Sequence, residues 1–187
     1  MDSVDALRNA LLTPEQAAAM DAHGKTEAAV LVPLYDFPEK PGLVLTERRM
    51  ELRRHAGEIS FPGGRRDSPL EDLLATALRE SNEEIGLEPG DVELVGALPP
   101  IGTFVTNYKV HPFVGLIADG VELQPNPLEV AKVLRLRIDE LRAGFEMRRL
   151  IRRGVPLKTP TYQVADHLVW GATARILGEL LERLPEA

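Results

Sequence analysis

The sequence predicts a mixed α/β (α+β) fold in one domain, and three observations predict it. Apolar runs flanking a proline-rich turn come first, a strongly periodic helical segment follows in the middle, and a second periodic segment closes the chain. Strands before helices, without regular βαβ alternation, give a mixed sheet rather than a doubly wound parallel one. The 187 residues suffice for one domain with a sizeable core, and the 44% hydrophobic and 27% charged content is ordinary for a globular protein.

Residues 1–24 read as a helical extension, with Thr13-Pro14 as N-cap and first position of a second short helix. Ala28 to Tyr35 and Gly42 to Thr46 are Val- and Leu-rich. The Asp36-Phe37-Pro38-Glu39-Lys40-Pro41 stretch between them makes the pair a hairpin. A charged, irregular segment then runs to Phe61-Pro62-Gly63-Gly64. Ser68, Pro69 and Glu71 form a capping-box pattern, and Leu70, Leu74, Ala77, Leu78, Ser81 and Ile85 recur at helical spacing up to Gly86, which ends the helix. Val92 to Leu98, Val110 to Ile117, Val130 to Ile138 and Phe145 to Ile151 read as strands. Residues 167–184 read as the closing helix, with Trp170 on its core face.

Composition narrows the chemistry. With no cysteine, disulfides, thiolate zinc sites and cysteine nucleophiles are excluded. No apolar stretch has the length of a membrane span, and no export signal is visible, so the expected location is the cytoplasm. A net charge of −7 argues against nucleic-acid binding, which grows with lysine and arginine content. Yet Arg48, Arg49, Arg53 and Arg54 crowd one segment, and Arg148, Arg149, Arg152 and Arg153 another. Local basic patches on an acidic chain suit a small anionic ligand. The second cluster reads as a solvated hairpin face or the lining of a homodimer interface.

The helix ending at Gly86 carries Glu80, Glu83 and Glu84, which spacings of three and four residues put on one face. Like charges at that spacing destabilise an isolated helix by roughly 0.2–0.5 kcal/mol per pair, and acids in the last turn oppose the helix dipole. A divalent cation removes both penalties, and clustered oxygen ligands suit Mg²⁺ or Mn²⁺. Without one, the arrangement is a solvated acidic face.

Gly64, Glu71, Arg79, Glu80, Glu83, Glu84, Gly86 and Leu87 together resemble the Nudix signature, G-x5-E-x7-R-E-U-x-E-E-x-G-U, with U aliphatic. Two departures stand out. Six residues rather than five separate Gly64 from Glu71, and Ser81 replaces the first aliphatic. Glu71 is either the signature glutamate or only the capping-box partner of Ser68. Upstream, Leu45-Thr46-Glu47-Arg48 and Leu52-Arg53-Arg54-His55-Ala56-Gly57-Glu58-Ile59-Ser60-Phe61-Pro62-Gly63-Gly64 resemble an element of the coenzyme A pyrophosphatases of that family, with Arg49 where a small residue is usual. The segment from His167 to Arg175 is also similar to that subfamily's closing helix.

The resemblance implies a mixed β-sheet sandwiched between helices. It also implies metal-dependent hydrolysis of a diphosphate inside coenzyme A or a derivative, giving 3′,5′-ADP and 4′-phosphopantetheine. Glu80 and Glu84 would be the principal Mg²⁺ or Mn²⁺ ligands, with Glu83 a third ligand or a water-orienting base and Gly64 a backbone carbonyl ligand. Arg79 would organise the glutamates. Arg48, Arg53, His55, Gly57, Phe61 and Gly63 would line the substrate site. Glu129 is a candidate proton acceptor and equally an ordinary strand-end acid; His55 and His111 read better as structural residues. Two alternatives remain: hydrolysis of ADP-ribose or another nucleoside diphosphate derivative, and a Nudix-fold regulator that binds a nucleotide without cutting it.

Overall fold

The computed structural model describes residues 3–49, 57–103, 106–118, 120–152 and 155–184. Two short helices open the chain, α1 (Ser3–Ala10) and α2 (Pro14–Ala18). Strands β1 (Thr26–Tyr35), β2 (Gly42–Arg48), β3 (Ile59–Ser60) and β4 (Gly63–Arg65) follow, then helix α3 (Leu73–Ile85). After a 3-10 turn at Pro89–Asp91 come β5 (Val92–Ala97), β6 (Ile101–Gly102), β7 (Tyr108–Ile117) and β8 (Val130–Arg137). The remaining elements are α4 (Ile138–Ala143), β9 (Phe145–Arg152), β10 (Val155–Val164), β11 (His167–Val169) and α5 (Gly171–Leu181).

The fold is mixed α/β, as the sequence predicts. The large sheet runs β3-β2-β1-β7-β5, with β4 also on β1, β6 on β7 and β8 on β2. Among the described strands only β1 and β7 pair in parallel, from Thr26↔Tyr108 to Leu34↔Leu116. Being central, β1 is covered on both faces: Val32 and Leu34 join the cluster that includes Leu177 and Leu180 of α5, whereas Ala29 and Leu31 join Ala77 and Ile85 of α3. This explains why β1 reads as a continuous apolar run rather than an alternating one. Along its length β1 also changes partner. It meets β2 only at Leu34↔Leu43 and Tyr35↔Gly42, and β4 takes over at Ala28–Val30. That exchange brings the two glycines of β4 beside the core strand.

Thr13 caps α2 as expected, with a reciprocal bond to Gln16. Helix α3, in contrast, starts later than the sequence suggests. Its N-cap is Asp72, whose carboxylate accepts from Leu74 and Ala75 at 2.9 and 3.1 Å. Ser68 instead holds a preceding turn, and Leu70, expected on the buried face, is 96% exposed. The helix ends as predicted at Gly86, which adopts the left-handed conformation (φ 67°). Its last carbonyls are met from outside: Gln124 and Asn126 donate backbone N–H groups to Ile85 and Glu84, both at 2.8 Å.

The C-terminal third differs most from expectation. The strand predicted at Phe145–Ile151 is β9, but it belongs to a second sheet ordered β11-β10-β9. Residues 167–169 are a strand, so the closing helix begins at Gly171 and Trp170 precedes it as N-cap instead of lying on its face. Pro156 and Pro160 hide β10 in the sequence. Both lie in the stretch that β11 does not reach, since β11 pairs only with Tyr162–Val164, so a missing N–H can face an open edge there. Among the described residues no helix is long and apolar enough to cross a membrane.

Candidate active site

Helix α3 lies against β1 and β4, and its acidic residues divide into three environments. Glu84 is 4% exposed and points beneath β4, where the Gly63 N–H donates to it at 3.2 Å and an Arg48 guanidinium nitrogen stands 3.4 Å away. Burial pushes its carboxyl up to about 7, against the smaller opposing pull of the Gly63 N–H and Arg48; Glu80 and Glu129 raise it further by repulsion. Glu80 has a side chain 19% exposed, and burial raises its pKa too, with Arg79 opposing. Glu83 is mostly solvent-facing, with a side chain 56% exposed.

Arg79 ties these acids together. Its guanidinium donates to Glu71 at 2.8 Å, to Glu80 at 2.9 Å and to both Glu83 oxygens at 3.3 Å, with a longer bond to the Arg65 carbonyl. Glu71 also accepts the Asp67 N–H at 2.8 Å, and these bonds, Arg79 first, hold its carboxyl down at about 2. Glu71 thus reaches Arg79 rather than capping the helix, whose N-cap is Asp72.

The glycines have specific steric reasons. A Cβ on Gly64 would lie 2.3 Å from Glu80 Oε2, so the carboxylate rests directly on backbone. Gly63 adopts φ 152°, and a side chain there would strike the Ala29 carbonyl at 2.3 Å. Glycine at both positions leaves an oxygen-rich cradle between β4 and α3.

The other candidate residues are distributed as follows. Arg48 ends β2 at a register shift and is laced by backbone bonds to Glu58 (3.0 Å) and Gly57 (3.1 Å), with Gly57 in the left-handed region. Phe61 is buried in the core, packing rather than presenting its ring to solvent. Glu129 is exposed in the turn before β8; its carbonyl accepts the Arg49 N–H at 3.1 Å, and its charge is felt at Glu84. Arg53 and His55 lie outside the described residues. His111 is buried on β7, 3.8 Å from Glu27, and burial lowers its pKa. Of the second arginine cluster, Arg148, Arg149 and Arg152 lie on β9, where Arg148 pairs with Glu146, and Arg153 lies outside the described residues.

Sequence reasoning missed three supports of this site. Asp72 caps the helix, Glu27 holds Arg66 at 2.5 Å beside the extra-long turn, and residues 124–126 close the helix end. Only Asp72 carried a signal, as a capping residue type directly before the helical run.

The donor set suits a hard divalent cation: carboxylate oxygens and a backbone cradle, with no competing sulfur. As arranged, however, no three Asp, Glu or His side chains among the described residues converge on one point. Arg79 and Arg48 occupy the lone pairs that a cation would take.

This geometry agrees with comparisons to known proteins. The NUDIX domain family model matches residues 25–154. A protein of Pectobacterium atrosepticum named "Uncharacterized Nudix hydrolase NudL" is 38% identical over 163 residues, covering 84% of this chain and 82% of that protein. One of the same name from Citrobacter koseri is 40% identical over 158 residues, covering 83% and 81%. The chain therefore belongs to the Nudix hydrolase family. The NUDIX domain of Shewanella oneidensis NrtR, solved with ADP ribose, shares the fold, with a TM-score of 0.54 at 14% identity over 99% of this chain and 100% of that one.

Proposed function

We propose that this Nudix hydrolase cuts the diphosphate of coenzyme A and its derivatives, releasing 3′,5′-ADP and 4′-phosphopantetheine or its acyl form. The observation that carries this reading is the junction of the two motifs. The Leu45–Gly64 element, which resembles coenzyme A pyrophosphatases, meets the signature helix through Arg48 and Gly63, both on Glu84. A reader of another nucleoside diphosphate would need the helix but not that element.

Glu80 and Glu84 would hold Mg²⁺ or Mn²⁺, with Glu83 and the Gly64 carbonyl completing the oxygen set. A divalent cation held there would supply charge neutralisation of the diphosphate oxygens and activation of the attacking water. Arg79 fixes the orientation of Glu80 and Glu83 from a position anchored on Glu71. Glu129, whose charge acts on Glu84, would take up the proton. Arg48, Gly57 and Gly63 would line the substrate site, with Arg53 and His55 assigned there by their motif alone.

The test is a substrate panel of coenzyme A, dephospho-coenzyme A, ADP-ribose and NADH with Mg²⁺ or Mn²⁺, with products identified by mass. Coenzyme A should be cleaved fastest and yield 3′,5′-ADP. Faster cleavage of ADP-ribose would overturn the substrate assignment while leaving the family in place.

A further inference from the structure

The two arginines at the carboxylate cradle are held very differently. Arg79 is saturated by Glu71, Glu80 and Glu83 at close range. Among the described residues the Arg48 side chain has one partner, Glu84 at 3.4 Å, long for an ion pair, and its buried Nε has no hydrogen-bond partner. A guanidinium has five donors, and a buried donor left unused is costly. Its backbone, in contrast, is fixed on both sides by Glu58 and Gly57. The side chain is thus loosely held on a rigid base, beside a carboxylate that has almost no access to water.

We propose that Arg48 is an exchangeable internal counter-ion of Glu84: it balances the buried carboxylate in the metal-free protein, and a divalent cation displaces it, freeing its guanidinium for the anionic substrate. The inference rests on the reading of Glu84 as a metal ligand and adds to Arg48's place at the substrate site an exchange with the cation which that reading does not contain. Two cations cannot share one buried carboxylate edge without strong repulsion, so occupancy by one weakens the other. The freed guanidinium would then offer its planar fork to phosphate oxygens, a geometry it does not use against Glu84. Cation loading and substrate capture become linked through one side chain.

The first measurement follows the Arg48 Nε–H resonance by NMR in the full-length protein, identified by its loss in Arg48→Lys. The buried Nε–H should exchange slowly with water in the metal-free protein, and titration with Mg²⁺ should shift it and remove its protection. A resonance that stays unmoved while Mg²⁺ saturates the protein would overturn the proposal. The second measurement is Mn²⁺ affinity by electron paramagnetic resonance at pH 8.5, where protons compete little for carboxylates. Arg48→Gln should bind Mn²⁺ roughly fivefold more tightly than the parent, the weight of the unit-charge Arg48–Glu84 attraction that the cation must replace, about 1 kcal/mol at about 4 Å under water-like screening. Arg48→Lys, which keeps the charge, should stay close to the parent. Equal or weaker binding by Arg48→Gln rejects the exchange. If the parent binds no divalent cation at all, the metal reading of Glu84 itself fails, and the exchange with it.

Discussion

Glu71 and Glu84 lie on either side of the same arginine-bearing segment, and the fold drives their acidities in opposite directions. Glu71 sits in a turn where Arg79 and the Asp67 N–H satisfy it, and its carboxyl is held at about 2. Glu84 sits under β4 with one N–H at 3.2 Å and one guanidinium at 3.4 Å, and burial raises it to about 7. The difference supports the proposed division between a residue that organises and one that serves the chemistry. A fully paired carboxylate stabilises its surroundings and has little left to offer a ligand. A desolvated, under-paired one destabilises the free protein and gains most from a cation, and such groups concentrate at functional sites.

The strongest challenge to this division is removal of divalent ions. Thorough chelation should abolish hydrolysis and leave the far-UV circular dichroism unchanged, because both core clusters are built from apolar side chains without any metal contribution. Retained turnover would mean that the under-paired end of the helix serves something other than a cation.

Next in size is Glu84→Gln, which keeps the shape and removes the charge. Turnover should fall at least about 100-fold, the scale of losing one essential electrostatic element. Thermal stability should hold or rise, since the uncomfortable charge is gone. Turnover near the parent's would show that burial of Glu84 is structural.

The same substitution isolates a pH effect in the metal-free protein. The folded pKa of Glu84, about 7, lies above its ordinary value of 4.5. Its contribution is therefore most favourable below about pH 4.5 and is lost as pH rises through 7. His111, lowered by burial, slopes the other way near its ordinary 6.5, so the parent's curve alone is a sum of opposed terms. The difference between parent and Glu84→Gln removes His111. It should change by on the order of 3 kcal/mol between pH 4.5 and 8, from the size of the shift. Denaturant melts of both proteins across this range give that difference, and a flat one would mean that Glu84 is not desolvated.

How much of this was legible in the sequence depended on how local each signal is. Glu80, Glu83 and Glu84 could be placed on one helix because spacing fixes direction within an element. That Glu84 would be buried and Glu83 exposed could not be read, because it depends on where β4 lies over α3. The start of α3 was misread because Ser68 and Glu71 fit a cap pattern locally, while Arg79, eight residues on, claims Glu71. The β1–β2 hairpin was visible through its apolar runs and turn residues. Strand β10 was not, since Pro156 and Pro160 mark a break unless the open edge beside them is known. The meeting of Arg48 with Glu84 joins residues 36 apart in sequence, and no spacing rule announces it.

The smallest expected effect tests the other half of the comparison. In Glu71→Gln the Arg79 guanidinium keeps a hydrogen-bond acceptor but loses the charge that anchors it. It should then draw closer to Glu80 and Glu83, neutralising acids proposed to hold the cation. Turnover should drop roughly 10-fold, the kind of loss that slight misplacement of site groups produces. Half-saturation by Mg²⁺ should need more metal, a change that loss of packing alone would not produce. Stability should fall as well, because a carboxyl held near 2 in the folded state and 4.5 otherwise favours folding above pH 4.5 and loses that contribution as pH falls through 2. The signs for stability are thus opposite in the two variants: Glu84→Gln holds or gains, and Glu71→Gln loses. If Glu71→Gln matched Glu84→Gln in its loss of turnover with no change in Mg²⁺ requirement, Glu71 would belong with the ligands and the division between organiser and ligand would collapse.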